Sequence, residues 1–128
     1  MAFTETLYAA ANALARRVEG LSPLPLDTPL PTLAQRVQEI ESVQRDTMTV
    51  QYVVSSNLNW LNGRDAVFLL DRTRLIFMIL GDHIQEVQAT MRWEERTIPD
   101  AHSLPSEEQH TLLRKTVSEI VDRCRSLF

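Results

Sequence analysis

The chain has 128 residues, a hydrophobic fraction of 44%, a charged fraction of 23% and a formal net charge of −4, proportions that suit one packed domain and argue against disorder over most of the chain. Its 13 Lys and Arg are scattered among 17 Asp and Glu, with no basic cluster of the kind that tracks phosphates, so nucleic acid and anionic membrane surfaces are not the expected partners. The one cysteine, Cys124, excludes an internal disulfide, and the first residues lack a basic region followed by an apolar run; the expectation is a soluble, cytoplasmic protein.

Phe3, Leu7, Ala11, Leu14, Val18 and Leu21 recur at spacings of three and four, which predicts a first helix over about 4–19 with one apolar face. Gly20 is its expected stop. The connector 21–31 holds four prolines in nine residues, which excludes both helix and strand ladders there. Its leucines make it an apolar, partly polyproline-like strap across the helices rather than a solvated linker.

A second helix is predicted over about 33–61, opened by a capping box of Thr32 and Gln35. Leu33, Val37, Ile40, Val43, Thr47, Val50, Val54, Leu58 and Leu61 keep a near-heptad rhythm along it. Asn62-Gly63 favours positive φ and a tight turn, so the third helix, about 64–96, is expected to fold back antiparallel. That helix carries two apolar stripes: Leu70, Thr73, Phe77, Leu80, Ile84, Val87 and Met91, and then Phe68, Leu75, Ile76 and Ile79. A helix apolar on two sides is either central or covered by a partner. Its most apolar stretch, 66–80, is interrupted by Asp71, Arg72 and Arg74 and is shorter than the roughly 20 residues of a membrane span. Trp93 marks its end. After a loop with two prolines, Ser106 and Gln109 form a second capping box. It opens a fourth helix, about 106–126, with Leu113, Val117, Ile120, Cys124 and Leu127 on its buried stripe. The fold class is all-α: an antiparallel bundle of four helices over residues 1–128, with two long central helices in a hairpin.

Chemistry-bearing residues are sparse. His83, Asp82 and Glu86 lie within about one helical turn, but a di-iron bundle needs a Glu-x-x-His pair on each of two helices, which is missing. His102 and His110 stand near Ser103, Ser106, Glu107 and Glu108 without any nucleophile elbow. Cys124 reads as a small buried hydrophobe near a helix C-terminus. No catalytic set, metal site or cofactor site is expected, and the chain reads as no enzyme.

Phe77-x-x-Leu80-Gly81-Asp82-x-Ile84 resembles the third Bcl homology motif of the apoptosis regulators, over about eight residues. In that family the Gly-Asp pair implies close helix approach and an Asp–Arg contact. Here Thr73 stands where a large apolar residue belongs, and Asn59-Trp60, which resembles that family's groove motif, precedes the Gly-Asp pair instead of following it.

The expected function is a non-enzymatic interaction module: a subunit, adaptor or chaperone that binds another protein, or a second copy of itself, by helix packing. The alternatives are a homodimeric structural or regulatory protein and a small-ligand-binding or enzymatic bundle. The expected partner-binding residues are Phe68, Asp71, Arg72, Leu75, Ile76 and Ile79, with Trp60 as either hairpin anchor or interface residue.

Overall fold

A computed structural model of the chain describes residues 2–92 and 103–127. Four helices make an all-α bundle: α1 (Ala2–Glu19), α2 (Leu30–Ser56), α3 (Gly63–Arg92) and α4 (Glu107–Arg125). α1 packs on α2 and α4, and α3 packs on the same two, so the helices form a closed ring. Arg36 near the start of α2 meets His83 near the end of α3, and partners run in opposite order along α3 and α4. Arg72 meets Glu119 while Asp65 meets Arg123, and Tyr8 near the start of α1 meets Arg125 near the end of α4. Neighbours are therefore antiparallel. No helix among the described residues is long and apolar enough to cross a membrane.

The first element follows its periodicity: Leu7, Ala11, Leu14, Val18 and Leu21 are all buried. The strap behaves differently from expectation at both ends. Leu24–Pro25 (β1) pairs antiparallel with Ser103–Leu104 (β2), Leu24 opposite Leu104 and Pro25 opposite Ser103. A ladder of two residues is short enough to tolerate a proline, which lacks only a donor. α2 starts three residues earlier than predicted, with Pro29 as N-cap and Pro31 in its first turn, where a missing N–H costs nothing. Pro29 makes no side-chain cap bond, and the Thr32–Gln35 box is not the start of the helix.

α2 also ends five residues early. Asn57 turns its side-chain amide back onto the Val53 carbonyl at 2.7 Å, and its backbone N–H bonds Val54. This local competition unwinds the chain before Leu58, which is left exposed. The turn then lies at 57–62, and Asn62 Oδ1 accepts from the Asp65 N–H at 3.0 Å, as an N-cap does. Positive φ is not used: no described glycine has it.

On α3 the buried residues are Ala66, Leu69, Thr73, Ile76, Ile79, Leu80, His83 and Val87. All but Ile79 fall on one heptad line, which takes Thr73, Leu80 and Val87 from the first predicted stripe and Ile76 from the second. Phe68 and Leu75 flank the line on one side and Leu70, Phe77, Ile84 and Met91 on the other, all half-buried. The helix thus has one broad apolar face, shared between α2 and α4, and not two separate ones. At the fourth helix, Ser106 caps α4 by accepting from the Gln109 N–H at 3.2 Å, as the sequence predicts. Trp93, His102 and the end of the predicted third helix, 93–96, lie outside the described residues.

Gly81 was expected to serve a close helix approach. A methyl group built there meets nothing within 4 Å, and its φ is not positive. Gly81→Ala should therefore raise stability by about 0.5–1 kcal/mol in urea denaturation, from helix propensity alone; a loss would mean that the space is needed.

Candidate functional site

Arg36 sits on the apolar line of α2, three residues after Leu33 and four before Ile40, and is only 2% exposed. Its guanidinium donates to four acceptors from four segments. Nη2 reaches the Ser22 carbonyl at 2.6 Å, and Nη1 reaches both the Leu104 carbonyl at 3.2 Å and His83 Nε2 at 3.1 Å. Nε bonds Glu39 Oε1 at 3.1 Å. A planar fork of donors suits such a divergent set better than an ammonium would. Burial pulls the guanidinium's pKa down, and the Glu39 carboxylate pushes it back up.

His83 is fully buried one turn after Leu80. Because Arg36 can only donate, His83 Nε2 accepts, and the neutral ring carries its proton on Nδ1. Burial first, then the charge of Arg36, then His110, depress its pKa to about 3. Across the gap to α4, burial and then Arg114 lower the pKa of His110. Burial, then Asp82, raises that of Glu86. Four buried atoms around this end of the bundle have no hydrogen-bond partner among the described residues: His83 Nδ1, Glu86 Oε2, Gln109 Oε1 and His110 Nε2. Among the described residues, no three His, Cys, Asp or Glu side chains are grouped so as to hold a metal. Cys124 is buried, and desolvation pushes its thiol up to about 12. The two groups best suited to act as base or nucleophile are therefore withheld from solvent.

The predicted partner-binding residues separate into three groups. Ile76 and Ile79 are in the core, facing α3's neighbours. They offer no surface, so Ile79→Glu would bury a charge rather than probe an interface. Phe68 and Arg72 belong to the seam between α3 and α4. The Phe68 ring lies under the guanidiniums of Arg72, 4.2 Å away, and Arg123, 3.9 Å away. Arg72 pairs with Glu119 at 3.3 Å and Arg123 with Asp65 at 2.9 Å. These contacts hold α4 in place. Leu75 is half-buried beside that seam. Asp71 and Trp60 are exposed; Trp60, at 66%, anchors nothing in the core.

What sequence reading missed, Trp60 apart, is the outer face of the α2–α3 hairpin. Met48, Tyr52, Leu58, Trp60, Val67 and Met78 are each more than half exposed. Four of them, from Tyr52 to Val67, bracket the turn at the end of the bundle opposite Arg36. The signal was present in Met48, Tyr52, Val67 and Met78, apolar residues that fall off the buried lines of α2 and α3. A groove of ≈ 600 Å³ between α1 and α4, bordered by Asn12, Ala15, Arg114, Ser118 and Arg125, is of mixed polarity and lies elsewhere. Comparison with protein-family models, with curated proteins and with solved structures gives no match.

Two outcomes follow from the buried node. Arg36→Met keeps the side chain's volume but leaves two backbone carbonyls and His83 without a donor. It should cost on the order of 3 kcal/mol in urea denaturation; an unchanged midpoint would show the node to be dispensable. For pH, His83 titrates near 6.5 when unfolded and about 3 when folded. The unfolded state binds the extra proton between these values, so stability falls as pH drops from about 6.5 towards 3. Between pH 7 and pH 4 the loss from His83 is on the order of 3 kcal/mol. The lowered pKa of His110 acts in the same direction, while the raised pKa of Glu86 opposes both. His83→Gln, which retains an acceptor for Arg36, should flatten the acid limb of a Tm-against-pH profile.

Proposed function

We propose that this chain is a non-enzymatic protein–protein interaction module, a subunit, adaptor or chaperone of a larger assembly. It works through the outer face of its α2–α3 hairpin. The observation that carries this reading is the exposure of Tyr52 at 72%, Trp60 at 66% and Val67 at 61%, all beside one turn. Large aromatic side chains left in water at a helix hairpin's tip are the type that dominates binding energy when desolvated. The polar atoms that could do chemistry support it from the other side: His83 is neutral and engaged by Arg36, and Cys124 is a buried thiol.

The test is affinity capture from a native lysate with the tagged wild type and with a Tyr52→Ser/Trp60→Ser variant, read by mass spectrometry. The wild type should bring down a stoichiometric partner. The variant should lose it while keeping the same far-UV circular dichroism, since both side chains are exposed. A partner held equally by both proteins would place the interface elsewhere.

A further inference from the structure

The outermost line of α3 has its own pattern. Arg64, Val67, Asp71, Arg74, Met78 and Asp82 follow at steps of three or four, and all are exposed. Read forwards, the line is basic, apolar, acidic, basic, apolar, acidic. Read backwards, each position meets its complement: Asp82 falls on Arg64, Met78 on Val67, and Arg74 on Asp71. Of these charges, Asp71 and Arg74 are paired only loosely within the helix, at 3.9 Å and with side chains 54% and 76% exposed. Arg64 and Asp82 form no ion pair among the described residues.

From this self-complementary stripe we infer that the hairpin face takes a second copy of the same chain, with α3 packed antiparallel on α3 about a two-fold axis between residues 72 and 73. The inference rests on the interaction reading above and names its partner. In a two-fold contact each pair occurs twice. Val67 of one copy meets Met78 of the other, and Asp71 meets Arg74 of the other; Arg64 and Asp82 close both ends. The line spans about 27 Å of helix axis. Parallel packing, or a shift of one turn, would set Asp71 against an acid or an apolar side chain, so the charges select the register. Exposed ion pairs contribute little each, and two apolar pairs bury a small area. The dimer is therefore weak, assembling over roughly 10–500 µM protein, and weaker still in salt.

Sedimentation equilibrium of the full chain over that range, with charge-reversal variants, tests the inference. The wild type should be in monomer–dimer equilibrium. Asp71→Arg and Arg74→Asp should each weaken association by about tenfold or more, because each places like charges together twice. Asp71→Arg/Arg74→Asp should restore it to within about threefold of wild type, since the pairs are re-formed with signs exchanged. All these side chains are exposed, and circular dichroism confirms that each variant folds. A wild type that stays monomeric to about 500 µM, or a double variant no tighter than the single ones, overturns the inference. A monomer that still captures a partner through Tyr52 and Trp60 refutes the second copy alone; a monomer that captures none refutes the interaction reading as well.

Discussion

Arg36 is a permanently charged group placed where water does not reach, and the end of the bundle around it is arranged to make that tolerable. Moving a guanidinium out of water costs several kcal/mol unless every donor direction finds an acceptor. Here the acceptors are two backbone carbonyls, a neutral imidazole and a single, partly exposed carboxylate. They come from the strap after α1, from α2 itself, from α3 and from β2. One side chain thus ties together the chain's least regular segments. The β1–β2 pair, too short to persist alone, is held from beneath by the bond to Leu104. The neutrality of His83 is part of the same arrangement: a second buried cation at 3.1 Å would undo it.

The two ends of the bundle differ in kind. At one end polar groups are buried, some gathered on Arg36 and others without a partner among the described residues. At the other, around the α2–α3 turn, apolar groups are exposed and committed to nothing in the chain. Between them the α3–α4 seam is fixed by Phe68 under two guanidiniums and by two ion pairs.

Much of this fold was legible in the residue pattern. The α1 stripe, the α4 cap at Ser106 and most of the near-heptad line of α2 follow from spacing, because burial on one face is what periodicity records. The misreadings have physical causes. Leu58 kept the rhythm of α2, but Asn57 ended the helix first through a local bond that hydropathy does not register. The two stripes of α3 were the flanks of a single face, since residues one position apart sit only about 100° around a helix. Arg36 drew no attention, and His83 read as part of a partly exposed polar face instead of the core it occupies, because polar residues are assigned outwards by default. Their places on the apolar lines, between Leu33 and Ile40 and between Leu80 and Val87, were the only clue. Of the two places open to Trp60, hairpin anchor or interface residue, the early end of α2 rules out the first by leaving it in solvent.

Cys124 has a consequence of another sort. A lone thiol held near 12 inside the bundle is about one part in 10⁵ thiolate at neutral pH. It is also shielded from any reagent large enough to alkylate it. Its reaction with such a reagent therefore waits for α4 to leave its neighbours, and the rate of labelling becomes a clock for that opening. The chain carries its own single-site reporter of how often the ring of helices comes apart.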